Sequence, residues 1–283
     1  YEMDSCPVGS EMCIRDRYKY KPNFDLPSYD NNFINKILKH KGGIRALALI
    51  EVNEFHKAAR EFRKIIPKFD IKDYPQLLSF TSKNNMPGLT FRLAAILRND
   101  HNKILLGGLY PVPTWNIDTS NLKDKALLYA IARQESGFNP RAKSSSKAMG
   151  VLQIIPSTAA FIMKNREYRL RRSKNHLLYN PLHNISIGSK YIKFLFSLPI
   201  VNNDLMWVLA SYNAGPGNFE KWTKYRNYKY KDTLLMLESL PARETRNYIK
   251  LVLTNLWVYK ARFNQDNTVL LSLASGKSID SKP

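Results

Sequence analysis

One glutamate has a placement that asks for chemistry. In RQESGF, residues 133–138, Glu135 follows Ile131, Leu128 and Leu127 by four, seven and eight positions. All four lie on one stripe of a helix with 3.6 residues per turn, so the carboxylate shares a face with side chains that must be buried. Desolvation penalises the charged form of such a group, raises its pKa and lets it hold a proton near neutral pH. Glycoside cleavage uses that kind of acid, in most enzymes with a second carboxylate about 5–9 Å away as nucleophile or base. Spacing alone leaves a second reading open, in which a helix-end glutamate simply turns outward to water.

Other chemistries find less support. His40, His56, His101, His176 and His183 are scattered, without the paired spacing of metal ligands. GKS at 276–278 lacks the upstream glycine of a phosphate loop, because position 271 is leucine, and AGPG at 214–217 is followed by no Lys-Ser pair. No serine occupies a G-x-S-x-G turn. No metal or other cofactor is expected.

The elements that must position Glu135 read as helices. NLKDKALLYAIARQES (121–136) is predicted helical, capped by Asp118, Thr119 or Ser120 and stopped by Gly137 and Asn139-Pro140. Glu135 then sits in the last turn, where a buried stripe opens to a loop. Further helices are predicted at 156–165, 184–197, 203–211 and 241–262, and Gly150, Gly215 and Gly217 read as turns with close backbone approach or positive φ. Upstream, about 30–108 carries short amphipathic helices. The clearest, EFHKAAREFRKIIP, places Phe55, Ala58, Ala59, Phe62, Ile65 and Ile66 on one face. GGLYPVPTWN (107–116) interrupts the pattern and reads as a boundary. Strand signals are scarce, so the chain is expected to be mainly α.

Lys and Arg number 44 against 23 Asp and Glu, for a formal net charge of +21 over 283 residues. So basic a chain is drawn to polyanions: nucleic acid, anionic lipid or an anionic wall polymer. RLRRSK (169–174) and KYRNYKYK (224–231) concentrate charge, the second with Tyr225, Tyr228 and Tyr230 interleaved. Such rings stack on bases or on sugars, and plain solvated loops remain an open reading. No apolar run is long enough for a transmembrane helix. VGSEMCIRDR (8–17) resembles a translated sequencing-library adapter, so residues 1–17, with Cys6 and Cys13, are read as an artefact or disordered tail. Without them the charge rises to +23.

Three segments occur in order: RQESGFNPRAKSSSKAMGVLQIIPSTA (133–159), SYNAGPGNFEKW (211–222) and LPARETRNYIKLVLTNLWVY (240–259). Together they resemble the soluble lytic transglycosylases, bacterial enzymes that cut the glycan strand of peptidoglycan. The resemblance covers about 116–262 and, more loosely, reaches back to about 44. It implies a mainly α fold, with a lysozyme-like catalytic domain at 116–265 preceded by an α-superhelical segment at 18–115 and followed by a tail at 266–283. Glu135 matches the family's catalytic acid/base, and Ser136 its neighbour. Ser144 matches a serine that positions the substrate's N-acetyl or C1 region, and Gln153 a glutamine lining the cleft. Tyr212 and Asn213 match a Tyr-Asn pair near the acid, the tyrosine helping to orient it. Glu244 matches a glutamate on the ligand side of the cleft. Lys147 stands where glycine is frequent, while Leu152 and Ile155 replace methionines.

The implied chemistry uses one carboxyl twice. As acid it protonates the oxygen between N-acetylmuramic acid and N-acetylglucosamine. As base it takes the proton of the muramic C6 hydroxyl, which attacks C1 and leaves a 1,6-anhydro end. The implied partners are glycan strands and stem peptides rather than nucleic acid, and the implied location is the periplasm or envelope. A lysozyme-type hydrolase, completed by Glu244 or an ordered water, is the alternative enzyme. Glu244 also suits a plain helix N-terminal charge, with Pro241 just upstream. A non-catalytic wall-binding module and a nucleic-acid binder complete the alternatives.

Overall fold

The computed structural model describes residues 22–115, 124–170, 174–225 and 233–266. The 1–17 segment, Asp118, Thr119 and Ser120, residues 171–173 and 226–231 of the basic runs, and the tail from 267 lie outside the described residues. Among the described residues five helices come first: α1 (Asn31–Leu38), α2 (Lys41–Glu51), α3 (Phe55–Ile65), α4 (Tyr74–Lys83) and α5 (Pro87–His101). They pack in successive pairs, α2 on α3 and α4 on α5. Pro75 and Pro87 stand in the first turns of α4 and α5, where a missing N–H costs nothing. In α3 the predicted face is buried at Ala58, Phe62 and Ile65. Glu61, which apolar spacing does not flag, is buried beside them and is neutralised by Arg45 at 2.6 Å and Lys64 at 2.7 Å.

The predicted boundary segment is ordered through residue 115. Leu106–Leu109 forms one helical turn, α6, and is buried. Beyond it, Tyr259 donates its hydroxyl to the Pro111 carbonyl at 3.1 Å and Tyr129 to the Pro113 carbonyl at 3.4 Å. Proline-rich backbone has few donors to pair with itself, so the two tyrosines satisfy carbonyls that burial would otherwise leave orphaned.

The C-terminal half holds α7 (Lys125–Ser136), α8 (Pro156–Ile162), α9 (Pro181–Phe196), α10 (Leu205–Ala214), α11 (Pro216–Tyr225), α12 (Thr233–Ser239) and α13 (Arg243–Arg262). The predicted helices all occur, with ends displaced by no more than four residues. Caps explain the displacements. Asn180 accepts the His183 N–H and starts α9 early, while Asp204 accepts the Met206 N–H and starts α10 late. Among the described residues there is no β-strand, only isolated bridges pairing Met149 with Lys143 and with Ile154. No helix among them is long and apolar enough to cross a membrane.

The central element is α7. Its cap is Asp124, whose side chain accepts the Leu127 N–H at 3.2 Å, and not the expected Asp118, Thr119 or Ser120. Every residue from Ala126 to Ala132 is buried, so the Leu127, Leu128 and Ile131 stripe is part of a helix covered on all sides. Fully burying each of those three contributes about 1.5–3 kcal/mol, against about 1 kcal/mol for the cap. Packing, chiefly against α13, decides where α7 lies. Arg133 fastens it: Nε donates to the Leu109 carbonyl at 2.7 Å and Nη1 to Asn255 Oδ1 at 2.5 Å. The guanidinium also lies over the rings of Tyr110, at 4.1 Å, and Phe91, at 5.0 Å.

Candidate active site

Glu135 occupies the last turn of α7, which Gly137 ends with φ +55°. The side chain keeps part of its surface open while protein surrounds most of the carboxyl. Burial pushes its pKa up to about 7, the charge of Glu244 pushes the same way, and the Tyr248 hydroxyl opposes both. Tyr248 is buried on α13, and its hydroxyl makes no hydrogen bond of ordinary geometry in the resting structure. It is close enough to favour the carboxylate electrostatically and has no other partner among the described residues. Glu244 itself is exposed in the first turn of α13.

The predicted companions of Glu135 are engaged in different ways, and of those distant from it in sequence only Tyr212 and Glu244 are close enough for their charges to be felt. Tyr212, on α10, feels the Glu135 charge, but its hydroxyl donates to the Leu152 carbonyl at 2.7 Å and makes no described hydrogen bond to the acid. It holds the loop beside Glu135 rather than the carboxyl itself. Asn213 accepts the hydroxyl of the buried Thr245 at 2.8 Å, joining α10 to α13. Ser136 spends its hydroxyl on the carbonyls of Val151, at 2.8 Å, and Ala132, at 3.2 Å, so it fastens the 150s loop to the end of α7. Ser144 accepts the Ala148 N–H at 3.0 Å and keeps its own proton to give. Gln153 donates to the Gly150 carbonyl at 2.8 Å and retains its side-chain oxygen as an acceptor.

The loop carrying Ser144 and Gln153 has little regular structure and needs an organiser. Asn184 of α9, fully buried, accepts the Leu152 N–H at 2.7 Å and donates to the carbonyls of Met149 at 2.8 Å and Leu178 at 2.9 Å. Gly150 sits against this amide at φ +79°; a Cβ there would lie 2.1 Å from the Leu178 carbonyl oxygen. Lys147 adopts φ +64°, a left-handed conformation that costs a non-glycine residue about 1–2 kcal/mol. That accounts for glycine being frequent at the matching position. Gly215 has φ +84°, whereas Gly217 needs neither positive φ nor close approach: it lies in the first turn of α11, and a Cβ there would meet nothing within 4 Å. Ile155 is exposed and Leu152 buried.

Sequence reasoning passed over Tyr248, Asn184, Thr245 and Arg133. Tyr248 had a usable signal, since it follows Glu244 by four residues and so shares its helix face. Its influence is testable without an activity assay. In Tyr248→Phe the Glu135 carboxyl loses a group that favours its charged form, and its pKa should rise further. Carbon NMR titration of the labelled carboxyl reads the shift. Stability should change by less than about 1 kcal/mol, because no ordinary hydrogen bond is lost. An unmoved titration would show the two groups to be uncoupled.

Fold and site together define a class: a mainly α protein with a lysozyme-like domain behind an α-superhelical segment. The same fold is seen in the crystal structure of the 70-kDa soluble lytic transglycosylase of Escherichia coli, with a TM-score of 0.72 at 24% identity, covering 94% of this chain and 43% of that one. Residues 117–235 match the Transglycosylase SLT domain, and over this region the chain is similar to soluble lytic murein transglycosylases. The soluble lytic murein transglycosylase of Salmonella typhimurium is 36% identical over 141 residues, 50% of this chain and 21% of the relative. That of Escherichia coli K12 is 37% identical over 143 residues, with the same coverage of each. The matched region thus spans about a fifth of the length of these curated relatives.

Proposed function

We propose that this chain cleaves the β-1,4 bond between N-acetylmuramic acid and N-acetylglucosamine of peptidoglycan, leaving 1,6-anhydromuramoyl ends, in the envelope or periplasm of a bacterium. The observation that carries this reading is the Glu135 carboxyl, partly buried at the end of a core helix and held at about 7. At neutral pH such a group is populated in both forms, as one side chain serving first as acid and then as base requires. Protonated Glu135 gives its proton to the glycosidic oxygen as the bond to C1 breaks. The resulting carboxylate takes the proton of the muramic C6 hydroxyl, whose oxygen bonds to C1. No water is consumed, and because the attack is intramolecular most of its entropic cost is already met.

The remaining residues are assigned by the groups they leave available. Ser144, with a proton to give, and Gln153, with a free oxygen, suit the acetamido and hydroxyl groups of the strand. Ser136, Tyr212 and Asn213 hold the cleft walls through their backbone and Thr245 bonds. Glu244, exposed in the first turn of α13, is assigned to the ligand side. The test is the mass of the products released from purified peptidoglycan. Muropeptides one water lighter than hydrolysis products are expected. Hydrated products would instead favour a lysozyme-type hydrolase, a reading to which the influence of Glu244 on Glu135 lends support. Folded protein that binds the polymer and releases nothing would be a wall-binding module.

A further inference from the structure

A second feature lies beyond the cleft. At the end of α8 a concavity of about 330 Å³ is lined by Ala160, Phe161, Lys164, Arg166 and Arg169. The three cations are exposed, and none of them has a carboxylate partner among the described residues. The acid between them in sequence, Glu167, is engaged by Lys174 at 2.5 Å and by Asn165 at 3.3 Å. Phe161 lines the same concavity and leaves 56% of its surface in water.

The rim is built rather than loose. Lys164 closes α8 in a left-handed conformation, φ +50°, and the Asn165 N–H returns to the Ala160 carbonyl at 3.0 Å. Asn165 then caps the following turn by accepting the Glu167 N–H at 2.9 Å. Tyr168 is buried beneath, its hydroxyl 2.7 Å from His183 Nε2 and its ring stacked on the imidazole. Three like charges held around one hollow repel each other, and an anionic occupant relieves that.

The concavity is also connected to the acid. From Tyr212, which feels the Glu135 charge, ring contacts run to Tyr191 at 5.5 Å, to Phe194 at 6.4 Å and to Phe161 at 5.0 Å. We propose that this concavity binds free carboxylates of an acidic peptide carried by the polymer that Glu135 cuts; the identity of that polymer rests on the function proposed above. The cations pair with the carboxylates and Phe161 covers the aliphatic part of the peptide. A nucleic acid fits less well. One exposed ring gives no platform for successive bases, and the hollow holds a short peptide segment.

The test is equilibrium binding, by fluorescence anisotropy, of a labelled short peptide with three free carboxylates and of its methyl ester. Exposed ion pairs are worth a factor of about two to five each. The ester, and the variant Lys164→Gln/Arg166→Gln/Arg169→Gln, should therefore each bind about ten-fold more weakly, and Phe161→Ser a few-fold more weakly. On peptidoglycan the triple variant should raise KM without lowering kcat, and on strands stripped of peptide it should match the wild type. Equal binding of acid and ester overturns the proposal, and that comparison needs no variant. So does tighter binding, dependent on the same residues, to anionic-lipid vesicles or to a single-stranded DNA oligonucleotide. Cleavage is read separately: acid-dependent peptide binding without cleavage would refute the enzyme reading and leave this site standing.

Discussion

Glu135→Gln is expected to lower the cleavage rate about 10²- to 10⁴-fold while binding to peptidoglycan stays within a few-fold of the wild type. Glutamine keeps the shape of the side chain and can still donate a hydrogen bond, but it cannot surrender a proton to the glycosidic oxygen. Nor can it become the base that the anhydro product requires. The measurement pairs single-turnover product release with co-sedimentation on the same polymer. Glu244→Gln is the control: on the transglycosylase reading it should cost no more than about ten-fold, since Glu244 acts on the acid through space. If Glu135→Gln retained more than a tenth of the activity, the proton donor would have to be sought elsewhere. Comparable collapse in both variants would point to a two-carboxylate hydrolase.

The same exchange should make the protein more stable at alkaline pH. Burial raises the pKa of Glu135 from an ordinary 4.5 to about 7 in the folded state. Between those values the folded chain keeps a proton that the unfolded chain has released, so stability from this group falls as pH rises. Its contribution is fully present below about 4.5 and is lost by the time pH has passed through 7. Each pKa unit corresponds to about 1.4 kcal/mol, and the open side of the carboxyl reduces the total, leaving on the order of 2 kcal/mol. Glutamine does not titrate. Urea unfolding of Glu135→Gln and the wild type should therefore give matching stabilities near pH 4.5 and diverge by on the order of 2 kcal/mol at pH 8, the variant being the more stable. Parallel curves across that range would mean that the carboxyl titrates normally.

Much of this was legible in the sequence because it is local. The α7 helix, its glycine stop and the carboxylate in its last turn follow from spacing over about a dozen residues, and the three motifs place the surrounding helices in order. What stayed hidden is long-range. Tyr248, Asn184 and Arg133 matter because of partners far away in the chain, and no periodicity reports a contact between Asn184 and the Met149 carbonyl. Tyr212 shows the intermediate case: its proximity to the acid followed from the motif, but its hydroxyl is used by Leu152, a choice made by the packing of α10 against the loop. Helix starts moved where a side-chain cap such as Asn180 or Asp204 outweighed the apolar pattern. Gly217 was over-read, since a glycine also occurs where nothing demands one.

Arg133 bears on how portable the C-terminal half can be. Its guanidinium spends one hydrogen bond and two ring faces on Leu109, Tyr110 and Phe91, all of which precede residue 116. Excising the chain from about 116 onward would leave that cation half-sheltered and stripped of those partners, two residues from the acid. A fragment so cut loses one hydrogen bond and two ring contacts beside Glu135, and water has to replace the lost acceptor. The helical arm is therefore not spare length that a designer can trim. Transplanting the SLT domain means taking α5 and α6 with it, or recasting Arg133 and its pocket as an apolar contact.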